Sequence, residues 1–114
     1  MSLITTHVLD TATGRPAVGL GVRLERRSAD DEWILLAESS TNDDGRIPDL
    51  LEEDAEAPAG IYRMRFAAGA WFGKRGVSGF YPWVDVVFER KNGHDHHHVP
   101  LLLSPFGYST YRGS

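Results

Sequence analysis

The amino-acid sequence predicts an all-β protein, a sandwich of about seven or eight short strands with one short helix. Two observations predict it. Apolar residues recur with a period of two through most of the chain, and clusters of Gly, Pro, Asn and Asp punctuate it at regular intervals.

Taken in order, "LITTHVLD" is rich in β-branched residues and stops at the turn cluster "TATGRP". "GLGVRLERR" alternates Leu20, Val22 and Leu24 against Arg23, Glu25 and Arg27, as a half-buried strand does. "EWILLAESS" is a third strand, and "TNDDGR" after it holds Asp44-Gly45, a pair suited to a hairpin turn. "PDLLEEDAEAPAG" is acidic and loop-like, with room for one helical turn. "IYRMRFAAG" alternates Tyr62, Met64 and Phe66 against Arg63 and Arg65. "AWFGKRGVSGFYP" breaks the alternation, and its first half is read as the helix. "WVDVVFER", the turn "KNGHD", "HHHVPLLL" and a last strand "GYSTYRG" complete the chain. Pro100 removes a ladder donor from the "HHHVPLLL" strand, which predicts an edge or a bulge there. An exposed edge calls for cover, and pairing with another subunit would supply it.

Composition narrows the function classes. The 114 residues read as one domain, 1–114, and hydrophobic and charged fractions of 41% and 25% are ordinary for a globular chain. A formal charge of −4 with no basic stripe gives no footprint for nucleic acid. No apolar run approaches the roughly 20 residues that span a membrane. "MSLITTHVLD" lacks a basic segment followed by an apolar one, so no signal peptide is expected. Without cysteine there is no disulfide, thiol nucleophile or thiolate metal site, and a cytoplasmic location is the expectation.

Histidines are the first candidates for chemistry. His7 lies mid-strand on the side of Leu3, Thr5 and Leu9, and His98 shares a face with His96, Pro100 and Leu102. Each alone reads as a hydrogen-bonded structural or surface residue, Arg46 and Arg112 alone read as solvated arginines, and Ser114 alone as a tail. "HDHHH" raises a metal site. His96 and His98 point one way, but three adjacent histidines cannot all face one ion and no second cluster has ligand spacing, so neither metal nor other cofactor is expected. No GxSxG elbow, HExxH pair or phosphate-binding glycine loop is present. What periodicity leaves unexplained is "YSTYRGS", dense in aromatic, basic and hydroxyl groups where most chains fray.

Two stretches carry more. "HVLDTATGRPAVGL" resembles the opening signature of the transthyretin-related family, and "HVPLLLSPFGYSTYRGS" resembles the closing signature of its 5-hydroxyisourate hydrolase branch. "TNDDGRIP", "APAGIYRMRF" and "GFYPWVDVVFE" fit as well, so the likeness runs essentially the whole length. The terminal "YRGS" discriminates, because hormone carriers of the family share "SPxxYST" and then diverge. Two positions depart from the pattern: His97, where relatives usually carry an aromatic residue, and Trp71, where tyrosine or phenylalanine is common.

The resemblance implies a transthyretin-like two-sheet sandwich assembled as a homotetramer, a dimer of dimers with active sites in the channel between dimers. It implies that the small molecule 5-hydroxyisourate is opened hydrolytically at its N1–C6 amide to 2-oxo-4-hydroxy-4-carboxy-5-ureidoimidazoline. His7, Arg46 and His98 would be catalytic, and His7, Arg46, Tyr111, Arg112, Gly113 and Ser114 would bind substrate. Two other classes stay open: a carrier of small aromatic ligands without turnover, and a structural or metal-buffering sandwich. A sandwich fold alone does not choose among them.

Overall fold

The period-two pattern becomes two faces on each of two sheets in the computed structural model, which describes residues 2–114. Strands β1 (Ile4–Asp10), β2 (Arg15–Pro16), β3 (Gly21–Arg27), β4 (Trp33–Ser40), β5 (Arg46–Ile47) and β6 (Gly60–Phe66) precede helix α1 (Ala68–Lys74). After it come β7 (Val84–Arg90), β8 (His97–Ser104) and β9 (Gly107–Thr110). One sheet has the order β2-β1-β8-β9, with β5 also paired to β1; the other has the order β4-β3-β6-β7. This is the expected all-β sandwich with one short helix. The two extra strands, β2 and β5, are two-residue pieces that local pattern reads as turns.

The alternation assigns the faces. Ile4 and Val8 of β1 and Val99, Leu101 and Leu103 of β8 point inward against Val22 and Leu24 of β3 and Tyr62, Met64 and Phe66 of β6, all at most 5% exposed. Burying each such side chain contributes about 1.5–3 kcal/mol. Thr6 shares the inward face and remains satisfied there, its hydroxyl donating to the Val99 carbonyl at 2.7 Å. In the seven-residue helix, Trp71 buries its ring and donates from Nε1 to the Val18 carbonyl at 2.8 Å. No helix among the described residues is long and apolar enough to cross a membrane.

Three expectations are corrected. First, β8 is not an edge: it lies between parallel β1 and antiparallel β9. His97 N–H donates to Leu3 on the β1 side, so Pro100, three residues on, turns its donor-less nitrogen toward the β9 side. The β9 ladder stops at the Leu101–Thr110 pair, and the Pro100 carbonyl accepts instead from the Thr110 hydroxyl at 2.7 Å. Second, the last strand is shorter than "GYSTYRG". It ends at Thr110, and pairing returns only at an isolated bridge from Gly113 to His98. Third, the Asp44-Gly45 turn forms but joins no hairpin, because β4 and β5 lie in different sheets. The acidic loop between Ile47 and Gly60 holds turns and no helix.

His97 takes the inward face, 6% exposed, and stacks against Phe88 with ring centroids 6.1 Å apart. Its Nδ1 lies 3.0 Å from Nη1 of Arg90, itself 1% exposed and anchored to the Ala57 and Asp95 carbonyls at 2.9 and 2.8 Å.

Candidate active site

The outward face of the β1–β8 pair carries the polar chemistry. Odd residues of β1 and even residues of β8 share it, and the parallel register sets Thr5 opposite His98 and His7 opposite Pro100. Two loop-borne elements close on this face.

The first is the turn before β5. Asn42 accepts at Oδ1 from the backbone N–H groups of Asp44 and Arg46, at 2.9 and 3.0 Å. Gly45 turns with φ of 74°, and its carbonyl accepts from Val8 N–H at 2.8 Å. A Cβ on Gly45 would meet the Val8 carbonyl at 2.5 Å, so only glycine lets the turn lie this close to β1. Arg46 is thereby delivered as the register partner of His7.

The second is the C-terminal segment. Gly113 N–H donates to the His98 carbonyl at 2.8 Å. Ser114 then reaches a cavity of about 230 Å³ lined also by Thr5, Arg46, Pro48, His96 and His98. His7 flanks it through its pairing with Arg46. Tyr111 and Arg112 face elsewhere in the protomer, lining with Phe88, His97, His98 and Thr110 a second cavity of about 310 Å³. Gly113 packs directly against the His98 ring.

Electrostatics hold both histidines neutral near pH 7. Burial lowers the His98 pKa from its ordinary value, with Arg46, then His96, then His7 adding to the effect. Burial and Arg46 likewise lower that of His7, against an opposing hydrogen bond to the Asp44 backbone. Two neutral imidazoles beside a permanent guanidinium can take one proton, give another and stabilise an oxyanion.

Sequence reasoning weighed His96 only as a metal ligand and gave Thr5 no role. The Thr5 Oγ1 lies 2.8 Å from Nδ1 of His98 and 3.1 Å from Nε2 of His96. Both residues sit on the faces that alternation assigns, but their meeting depends on the parallel register, which no local pattern carries. Among the described residues no group of three or more His, Asp or Glu side chains is placed to hold a metal ion. His97 faces the opposite side from His96 and His98, and His94 is on an exposed turn.

A larger cleft of about 650 Å³ lies on the second sheet, lined by Arg23, Glu38, Arg65 and Trp83 among others. Its arginines are already matched, Arg23 to Glu38 at 3.1 Å and Arg65 to Asp85 through two bonds of 2.7 and 2.9 Å, and it holds no histidine.

The same architecture and sequence occur in known proteins. The model of the HIUase/Transthyretin family matches residues 4–113. The 5-hydroxyisourate hydrolase of Mus musculus is 49% identical over 114 residues, 99% of this chain and 96% of that protein. Among solved structures, the 5-hydroxyisourate hydrolase of Klebsiella pneumoniae superposes with a TM-score of 0.85 at 39% identity, covering 97% of this chain and 98% of the other. Sea bream transthyretin in complex with thyroxine gives 0.92 at 33% identity, covering 98% and 95%.

Proposed function

The chain belongs to the HIUase/transthyretin family, and from that premise we propose that it hydrolyses 5-hydroxyisourate rather than carrying a ligand. The observation that carries this reading is the convergence of Arg46, His98 and Ser114 on one cavity, with His7 beside Arg46. A carrier needs an apolar slot; two neutral histidines beside an arginine suit proton transfer. The mouse and Klebsiella relatives bear the name of this activity. Sea bream transthyretin is similar in both fold and sequence, and a shared fold does not by itself carry a shared function.

In the reaction, water attacks the C6 carbonyl while one histidine accepts its proton. The oxyanion develops against the guanidinium of Arg46, the C6–N1 bond breaks, and the other histidine returns a proton to N1. The product is 2-oxo-4-hydroxy-4-carboxy-5-ureidoimidazoline. Ser114 positions substrate or water, and Gly113 seats the tail on His98. No covalent intermediate is needed.

The reading includes a single domain over residues 1–114, a cytoplasmic location and a homotetramer built as a dimer of dimers. Assembly is supported by two features. β7 and β9 end their sheets with unpaired edges, and Val87, Phe106 and Tyr111 are 57%, 73% and 59% exposed. Tyr111 and Arg112, turned from the cavity in the protomer, would meet substrate in a site completed by a partner subunit.

The test generates 5-hydroxyisourate in place from urate and urate oxidase and follows its ultraviolet decay. Decay should accelerate well beyond the spontaneous rate, and His98→Asn should lose about 10²–10⁴ of it with the fold intact. Unchanged decay beside stoichiometric binding of a phenolic ligand would replace the hydrolase with the carrier.

A further inference from the structure

Thr5 presents one hydroxyl to two imidazoles. Its Oγ1 lies 2.8 Å from His98 Nδ1 and 3.1 Å from His96 Nε2, and the rings lie nearly parallel, 11° apart in plane with centroids separated by 6.5 Å. A hydroxyl has one proton to give and lone pairs to receive. Two arrangements that place one proton on each ring satisfy all three groups.

In the first, the hydroxyl donates to His98 Nδ1 while His96 Nε2–H donates to the hydroxyl oxygen. His98 then carries its proton on Nε2 and is an acid toward the cavity. In the second, His98 Nδ1–H donates to the hydroxyl, which turns to donate to His96 Nε2. His98 then offers a bare Nε2 and is a base. The two arrangements differ in the tautomer of both rings and in the direction of one O–H bond.

We propose that Thr5 and His96 are positioning residues that fix the His98 ring and couple its tautomer to that of His96. This rests on the reading of His98 as a proton-transfer group. The coupling gives a physical use to the neutral state of the site: His98 is prepared as acid or base without an added charge beside Arg46. Thr5 is suited to the task because its β-branch restricts χ1 and holds the hydroxyl between the rings. His96 is thereby drawn from the "HDHHH" cluster into the proton-transfer machinery, without a metal.

The experiment compares ¹⁵N NMR spectra of the histidine rings with steady-state kinetics on 5-hydroxyisourate. In His96→Phe the ring stack is kept and the hydroxyl has only His98 Nδ1 to donate to, so His98 should be locked as the Nε2–H tautomer. In Thr5→Val the isosteric side chain keeps the strand, the His98 tautomer ratio should change, and kcat should fall roughly 10–100-fold with KM within about twofold. Thr5→Ser should restore both readouts in large part. A His98 spectrum identical to the wild type in both Thr5→Val and His96→Phe overturns the coupling, as does full kcat in Thr5→Val. The spectra need no turnover, so failure of the wild type to hydrolyse 5-hydroxyisourate would refute the proposed function and leave the coupling to be judged on the spectra.

Discussion

Gly113 lies so close to His98 that a Cβ there would come within 2.5 Å of Cδ2 and 3.1 Å of Cγ of the imidazole, with the Pro100 ring also at 3.1 Å. The imidazole, held on its far side by Thr5, and the backbone of the tail are packed face to face. Gly113→Ala should therefore displace one of them. A shift of about 1 Å in a catalytic group costs up to about 10²-fold, so kcat should drop by roughly 10–100-fold while the unfolding midpoint stays near that of the wild type. A kinetic comparison with a denaturant titration checks both halves. Wild-type kcat in this variant would show that the tail does not define the His98 position.

Gly45 governs Arg46 in the same indirect way. Its positive φ and its approach to the Val8 carbonyl leave no room for a side chain. Because the obstruction is backbone, relief requires moving the turn away from β1. Gly45→Ala should destabilise the fold by about 1–3 kcal/mol and lower kcat/KM by displacing Arg46. Chemical denaturation and initial rates measure the two effects, and a variant with unaltered kcat/KM would separate turn geometry from Arg46 function.

The buried His97 predicts an acid weakness. Nδ1 lies closer to Arg90 Nη1, at 3.0 Å, than to the Asp95 carbonyl, at 3.4 Å. Arginine can only donate, so Nδ1 accepts and the ring is neutral. Burial lowers its pKa from the ordinary value of 6.5; a hydrogen bond to the Asp95 carbonyl, open only to the protonated ring, opposes this, and the charges of Arg90 and Arg112 reinforce it. Proton counting gives the sign. Below about pH 6.5 the unfolded ring binds a proton that the folded ring refuses, so stability falls with pH until the lowered folded value is reached. His7 and His98 are lowered too and contribute in the same direction. His97→Phe should reduce, without abolishing, the loss of denaturant midpoint between about pH 7.5 and about pH 5.5. An equal loss in both proteins would exonerate His97.

Much of the fold was legible because burial on one face of a sheet writes itself as alternation. Tyr62, Met64 and Phe66, or Leu20, Val22 and Leu24, need no neighbour to declare their side. Pairing partners declare nothing locally, and every correction concerns one. Pro100 suggests an edge only to a reader who cannot see that its missing donor faces the gap between Thr110 and Gly113. Asp44-Gly45 is hairpin chemistry, yet the strand beyond it crosses to the other sheet. For the site, family likeness selected His7, Arg46, His98 and the terminal residues, which single-residue chemistry had left as ordinary surface groups. The link that Thr5 makes between His96 and His98 was missed for the same reason as the pairings: it depends on a register between segments far apart in the chain.

Pro100 makes the sandwich and its tail mechanically separate parts. The zipper of hydrogen bonds between β8 and β9 is closed by Thr110, and beyond the proline one main-chain bond, Gly113 to His98, fastens the final residues. Residues 111–114 can thus be peeled back or exchanged without loosening a rung of the sheet. That seam falls at the point where "YST" gives way to "YRGS". A single imino acid thus insulates the scaffold from its last few residues.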